Sequence, residues 1–200
     1  MQRDISNLRK SYSKNSLTEK DIPKDPLILF DNWFKEVSSA NNKSEINAMT
    51  LSTISPSGYP NGRIVLLKYY SPEGFVFFTN YKSDKGVSID KNNKVSISFF
   101  WEDFERQVII NGTASKGSKL GALVSENQSS IIKSKDDIIK KFNHLSNEYL
   151  NKEIQRPDYW GGYIVKPIKY EFWQGGENRL HDRIRYMRDK NFWIIDRLSP

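Results

Sequence analysis

From residue 48 onward, apolar and polar side chains alternate with a period of two, in short runs cut by turn-forming residues. Each such run has one apolar face to bury, and it can bury it only beside other strands. Met49 to Ser55, Arg63 to Tyr70 and Phe75 to Thr79 are separated by Pro56-Ser57-Gly58 and Ser71-Pro72-Glu73-Gly74, a spacing that predicts an antiparallel meander. Val95 to Trp101 and Gln107 to Ala114 continue it around a turn at Glu102-Asp103. Gly161 to Phe172, Arg179 to Met187 and Phe192 to Arg197 complete the set. Helical spacing appears over residues 26–40, behind Asp25-Pro26, and over residues 136–150, while Ser83 caps a short helix running to Asn92. Many strands, few helices and no βαβ alternation give a mainly β chain with peripheral helices (α+β), folded as a closed or nearly closed antiparallel barrel.

Residues 1–24 are polar with little periodicity and read as an N-terminal arm. Residues 25–200 read as one domain, large enough to bury a core without covalent staples. The chain has no cysteine, which excludes disulfides, thiolate nucleophiles and Cys-ligated metals and points to a reducing compartment, the cytoplasm. Its two histidines, His144 and His181, are too few and too far apart for a common His-based centre, so no metal is expected. No apolar run reaches bilayer length, so no membrane partner is expected. The net charge of +7 is spread among acidic residues, as where Asp136 and Asp137 interrupt the lysines of residues 133–141. That pattern suits a solvated surface and a small anionic ligand better than nucleic acid.

The densest chemistry lies in residues 173–183, where Arg179, His181 and Arg183 recur at period two. On an extended strand they share one face, which admits two readings, a solvated face neutralised locally by Glu177 and Asp182, or an anion or reaction centre lying among the cations. Trp160 and Trp173 upstream suit a planar, charged heterocycle. Strict alternation from Arg63 to Lys68 puts those two cations on opposite faces, so a site shared by both needs a bulge or a position near the strand end. Ser83-Asp84-Lys85-Gly86 admits two readings, an ordinary helix N-cap or a phosphate cradle. Trp160-Gly161-Gly162-Tyr163 admits a bulge or a close backbone approach.

Taken in order, Asn47-Ala48-Met49, Arg63 through Lys68, Phe77-Phe78-Thr79-Asn80, Glu105-Arg106-Gln107-Val108, Gln128-Ser129-Ser130, Arg156-Pro157, Trp160-Gly161-Gly162 and Glu171 through Arg183 resemble the pyridoxamine 5′-phosphate oxidase family. The closing Asp196-Arg197-Leu198-Ser199-Pro200 resembles that family's ending as well. The resemblance implies an FMN-binding split barrel and a homodimer with flavin sites at the subunit interface. It also implies oxidation of pyridoxamine or pyridoxine 5′-phosphate to pyridoxal 5′-phosphate by O2. By motif position, Arg63, Lys85, Gln128 and Ser129 hold the FMN phosphate. Ile64, Val65, Leu66, Leu67, Lys68, Phe78, Thr79, Gln107, Trp173 and Arg183 line the rest of the cofactor. Arg9, Tyr12, Lys68, Ser118, Arg179, Leu180 and His181 fall to the substrate, with Arg179 and His181 as the catalytic pair.

Three departures from the family pattern stand out. Between Thr113-Ala114 and Gly117-Ser118-Lys119-Leu120-Gly121, the family carries a further helical stretch whose Tyr and Arg hold the substrate phosphate, and this chain lacks it. Asp84 stands where the family places an arginine beside Lys85, and an apparent one-residue insertion falls at Glu126-Asn127. Two alternatives therefore accompany the oxidase. One is a catalytically weak flavin or pyridoxal 5′-phosphate binder, and the other a split-barrel flavin oxidoreductase with another substrate.

Overall fold

The computed structural model describes residues 3–5, 7–8, 10–40, 44–116 and 159–200. Its strands are β1 (Ala48–Ile54), β2 (Pro60–Ser71), β3 (Gly74–Asn80), β4 (Lys94–Trp101), β5 (Arg106–Lys116), β6 (Trp160–Gln174), β7 (Asp182–Asp189) and β8 (Phe192–Leu198). Helix α1 spans Pro26–Ser39 and α2 spans Asp84–Lys91. The strand order is β3-β2-β1-β4-β5-β6-β7-β8, and β3 also pairs with β6, so the first six strands close into the antiparallel barrel that the alternation predicts. The helix expected over residues 136–150 lies outside the described residues.

The described chain falls into two compact units. One comprises residues 1–50, 96–112 and 167–200. In it the Asp25 carboxylate accepts the Leu27 N–H at 2.9 Å and Pro26 takes the first turn, as the sequence signal requires. Leu29, Phe30, Trp33 and Val37 form the buried face of α1. Phe30 meets Phe99 edge-on at 5.2 Å, and Trp33 meets Phe172 at 5.3 Å. Burying an aromatic such as Phe30 contributes about 1.5–3 kcal/mol. The N-terminal segment is tied to this unit. Leu17 is buried, its N–H donates to the Asp182 carboxylate at 2.8 Å, and the Pro23 carbonyl accepts the Tyr186 hydroxyl at 2.9 Å.

The other unit comprises residues 51–95 and 113–166. Phe75 to Asn80 of β3 run in unbroken register against Val165 to Trp160 of β6. Gly161 and Gly162 therefore make no bulge. A Cβ at Gly162 would lie 3.0 Å from the Phe78 ring, so close approach is the reason for this glycine. Phe77 stacks on Tyr163 at 5.6 Å, and Tyr81 meets Tyr163 edge-on at 5.2 Å. Helix α2 follows directly. Its Gly86 lies so close to the end of β3 that a Cβ would sit 2.1 Å from the Tyr81 carbonyl oxygen. Gly86→Ala is therefore expected to cost about 1–3 kcal/mol through overpacking. A urea midpoint unchanged from wild type would refute this packing.

Candidate functional site

The first cluster of cations is built in the second unit. From β2, Arg63 turns its guanidinium back over β1, where Nη1 donates to the Leu51 carbonyl at 3.1 Å, the Thr53 hydroxyl at 2.8 Å and the Asn61 carbonyl at 2.8 Å. Lys85, in the first turn of α2, is only 6% exposed, and its Nζ donates to the Ser83 hydroxyl at 3.1 Å. Ser83 also caps the helix by accepting from the Gly86 N–H. Among the described residues neither cation has a carboxylate at ion-pair distance. Burial, reinforced by the Arg63 charge and opposed by Asp84, pulls the Lys85 ammonium down to about 8. Burial lowers Arg63 too, against the pull of Asp84. Two mutually destabilised cations beside the N-terminus of a helix are complementary to a dianion such as a phosphate monoester. Ser83 is thus the N-cap that the sequence suggests, and its hydroxyl also orients Lys85.

The register of β2 against β3 slips between Leu67 and Tyr69, which places a bulge at Lys68, one of the two ways in which Lys68 could leave strict alternation with Arg63. Leu67 is buried and Lys68 exposed, while Ile64 is exposed and Val65 and Leu66 are half-buried. Thr79 is buried at the end of β3, and Phe78 is half-buried.

The second cluster belongs to the first unit. Trp173 pairs with Arg183 and Gln174 with Asp182, so residues 175–181 form the connection between β6 and β7. Within it Glu177–Arg179 make a 3-10 turn, with Asn178 and Arg179 in the left-handed region at φ 53° and 66°. The expectation of a strand from Arg179 is corrected here. β7 begins at Asp182, and of the three period-two cations only Arg183 lies on it. Arg179 and His181 reach their positions through the turn instead. With Tyr12, Gly176 and Asn178 they line a cavity of about 380 Å³. The His181 ring lies 4.9 Å from that of Trp173 and 5.9 Å from that of Tyr12, and Tyr12 meets Trp173 edge-on at 5.4 Å. His181 Nδ1 accepts the Gly176 N–H at 3.1 Å, which leaves the proton of the neutral ring on Nε2. Arg179 and Leu180 are exposed.

Arg183 donates to Glu171 Oε1 from Nη2 at 2.7 Å and from Nε at 3.1 Å, and to the Ser199 carbonyl at 2.9 Å. Burial pushes the Glu171 carboxyl upward, but hydrogen bonds from Arg183 and Lys169 outweigh it and hold the group below its ordinary value. The Gln107 amide nitrogen lies 3.4 Å from the Ser98 hydroxyl. Arg9, Ser118, Gln128 and Ser129 lie outside the described residues. Thr53, Glu105, Glu171 and Gly176 escaped the sequence reading. Glu105 stood inside a quoted motif, but nothing in its letters shows the left-handed backbone, φ 54°, that aims its carboxylate.

Comparison with known proteins is consistent over nearly the whole chain. A family described as "Pyridoxamine 5′-phosphate oxidase" matches residues 39–136, and one described as "Pyridoxine 5′-phosphate oxidase C-terminal dimerisation region" matches residues 160–200. The chain is 50% identical to the pyridoxine/pyridoxamine 5′-phosphate oxidase of Flavobacterium johnsoniae, covering 98% of this chain and 99% of that protein. It is 44% identical to the enzyme of the same name from Christiangramia forsetii, over all of both chains. Among solved structures, PhzG from Burkholderia lata 383, in complex with tetrahydrophenazine-1-carboxylic acid, superimposes with a TM-score of 0.84 at 25% identity. That match covers 94% of this chain and all of that one. The Flavobacterium johnsoniae alignment runs over 212 positions against a chain of 200 residues, so at least twelve of its positions have no counterpart here.

If Arg63 and Lys85 hold a phosphate, the lowered Lys85 gives that binding a definite pH dependence. An anion stabilises the charged ammonium, so affinity for a phosphate monoester is expected to be highest near neutral pH and to fall as the free protein loses this proton around pH 8 and above. Lys85→Met should bind more weakly and lose that dependence. Titrations from neutral pH to well above 8 would show it, and parallel curves for both proteins would contradict the assignment.

Proposed function

The chain belongs to the pyridoxamine 5′-phosphate oxidase family, and on that premise we propose that it is an FMN-dependent oxidase producing pyridoxal 5′-phosphate. It would act on pyridoxamine or pyridoxine 5′-phosphate, with O2 as the final acceptor, as a cytoplasmic homodimer. The observation that carries this reading is the relatedness, at 44–50% identity and over nearly the full length, to proteins bearing that activity in their names. The matched dimerisation region supports the homodimer. The cation pair Arg63–Lys85 supports a cofactor that ends in phosphate.

FMN, when bound, supplies a two-electron acceptor that takes hydride from the substrate carbon. The chain's own residues do the binding and positioning. Arg63 and Lys85, with Gln128 and Ser129, hold the FMN phosphate. The backbone from Ile64 to Leu67, with Lys68, Phe78, Thr79, Gln107, Trp173 and Arg183, fixes the isoalloxazine. Lys68 also meets the substrate phosphate, with Ser118, and Arg9 and Tyr12 close over the substrate beside Leu180. His181 directs its Nε2–H at an acceptor on the pyridine ring and positions it. Arg179, which has no carboxylate partner among the described residues, brings its positive charge to the bound substrate beside His181. With pyridoxamine 5′-phosphate the products balance as aldehyde, ammonia and hydrogen peroxide, with water consumed. With pyridoxine 5′-phosphate they are aldehyde and peroxide.

A second reading, a flavin or pyridoxal 5′-phosphate binder with little turnover, rests on the positions missing relative to the oxidases and on Asp84. Purified protein is expected to be dimeric, to hold about one FMN per subunit and to consume oxygen when given pyridoxamine 5′-phosphate. A yellow dimer inert to both substrates would establish the second reading. Arg63→Ala should weaken FMN about 10- to 150-fold, the equivalent of one charge-assisted contact, while thermal unfolding of the flavin-free protein changes little. Unchanged FMN affinity would remove Arg63 from the phosphate site.

A further inference from the structure

We propose that Glu105 is the latch that holds residues 10–14, and with them Tyr12, over the cavity lined by Arg179 and His181. It would be a positioning residue for the oxidase reaction, and the assignment rests on the function proposed above. Glu105 is 7% exposed, and one of its oxygens, Oε2, accepts the backbone N–H groups of both Ser13 at 2.8 Å and Lys14 at 2.9 Å. A buried carboxylate that takes two main-chain donors from a segment over ninety residues away in sequence holds that segment whatever its side chains do. Around it the neighbouring turn adds outer contacts. Lys10 pairs with Glu102 at 2.7 Å, and Lys14 Nζ donates to the Asp103 carbonyl at 2.5 Å.

The turn that carries the latch is fixed on its other side. The Glu105 carbonyl accepts the Gly175 N–H at 2.7 Å and the Gln174 amide at 3.3 Å. Gln174 in turn accepts from Arg106 Nε at 2.8 Å, and the Arg106 guanidinium lies 4.5 Å over the Trp33 ring. Glu105 thus fastens the connection that presents Arg179 and His181 through its main chain, and the segment that presents Tyr12 through its side chain. The fit is close. A Cβ at Gly175 would lie 2.8 Å from Tyr12 Cβ and Cγ and 3.0 Å from Glu105 Cβ. Tyr12 can rest on Trp173 and His181 only because this position has no side chain. The left-handed backbone at Glu105, unfavourable for a residue with a side chain, is held by these surroundings, as strained residues at working sites are. Residues 10–14 are largely exposed apart from Tyr12, so the segment can lift by giving up the Glu105 contacts without opening the core.

Two variants separate the latch from the fold. Glu105→Gly installs the residue best suited to φ 54° and removes the whole side chain, carboxylate included, whereas Glu105→Gln keeps the side chain and an acceptor oxygen without its charge. With FMN-loaded protein, KM for pyridoxamine 5′-phosphate is expected to rise about tenfold in Glu105→Gly and about two- to threefold in Glu105→Gln, with kcat and FMN affinity within about twofold of wild type. In a Tyr12→Ala background the further rise from Glu105→Gly should vanish, because the latch acts through Tyr12. Trypsin cleavage after Lys10 or Lys14, followed without substrate, should accelerate in the same order. Wild-type KM and wild-type cleavage in Glu105→Gly would overturn the proposal, as would loss of FMN in step with KM. Were the wild-type protein inert as an oxidase, the function would fall while the cleavage rates still decided whether Glu105 holds the segment.

Discussion

The pairing of β3 with β6 is the constraint on which the rest of the structure depends. It joins Phe75 to Asn80 with Trp160 to Val165, eighty to ninety residues away in sequence, and turns an open meander into a closed ring of six strands. Closure pairs the edge of β3 that an open sheet would expose, while β8, paired only with β7, still ends the sheet. It also fixes the end of β3, from which Ser83 and Lys85 are launched within a few residues. Gly86 brings α2 against the Tyr81 carbonyl and so sets where the ammonium lies. The position of a charge thus follows from a strand register and a missing side chain.

Given that scaffold, electrostatics indicates what the second unit can bind. Arg63 spends one guanidinium nitrogen on two carbonyls and a hydroxyl, and Lys85 spends its ammonium on a single hydroxyl. Neither arrangement neutralises the charge, and each cation raises the cost of the other. Asp84 offsets part of that cost from an exposed position in the first turn of α2. Contrast Arg183, whose charge is met within the fold by Glu171. Side chains of the same type therefore differ in what they can still accept, and only the partners visible in the structure separate them.

Much of this was legible in the letters. The strands from Met49 to Thr79 follow alternation and turn residues, and Asp25-Pro26 and Ser83 start their helices as caps should. Parity put Arg63 and Lys68 on opposite faces unless a bulge or a strand end intervened, and the register slips at Lys68. What sequence could not supply was backbone handedness and distant pairing. The spacing of Arg179 and His181 has the strand period, yet Asn178 and Arg179 adopt left-handed conformations, which asparagine tolerates but which the period-two pattern does not announce. The same holds for Glu105. Its role depends on a positive φ and on the passage of residues 13 and 14 beside it, both products of tertiary structure.

The most direct measurement is to mix FMN-loaded protein with pyridoxamine 5′-phosphate in the absence of oxygen and follow the visible absorption of the oxidised flavin. If the cation pair holds the cofactor and the Arg179–His181 connection holds the substrate, the band should bleach with one aldehyde formed per flavin, and air should restore it. Flavin that stays bound and oxidised at saturating substrate would contradict the oxidase assignment and leave the chain a binder of its cofactor.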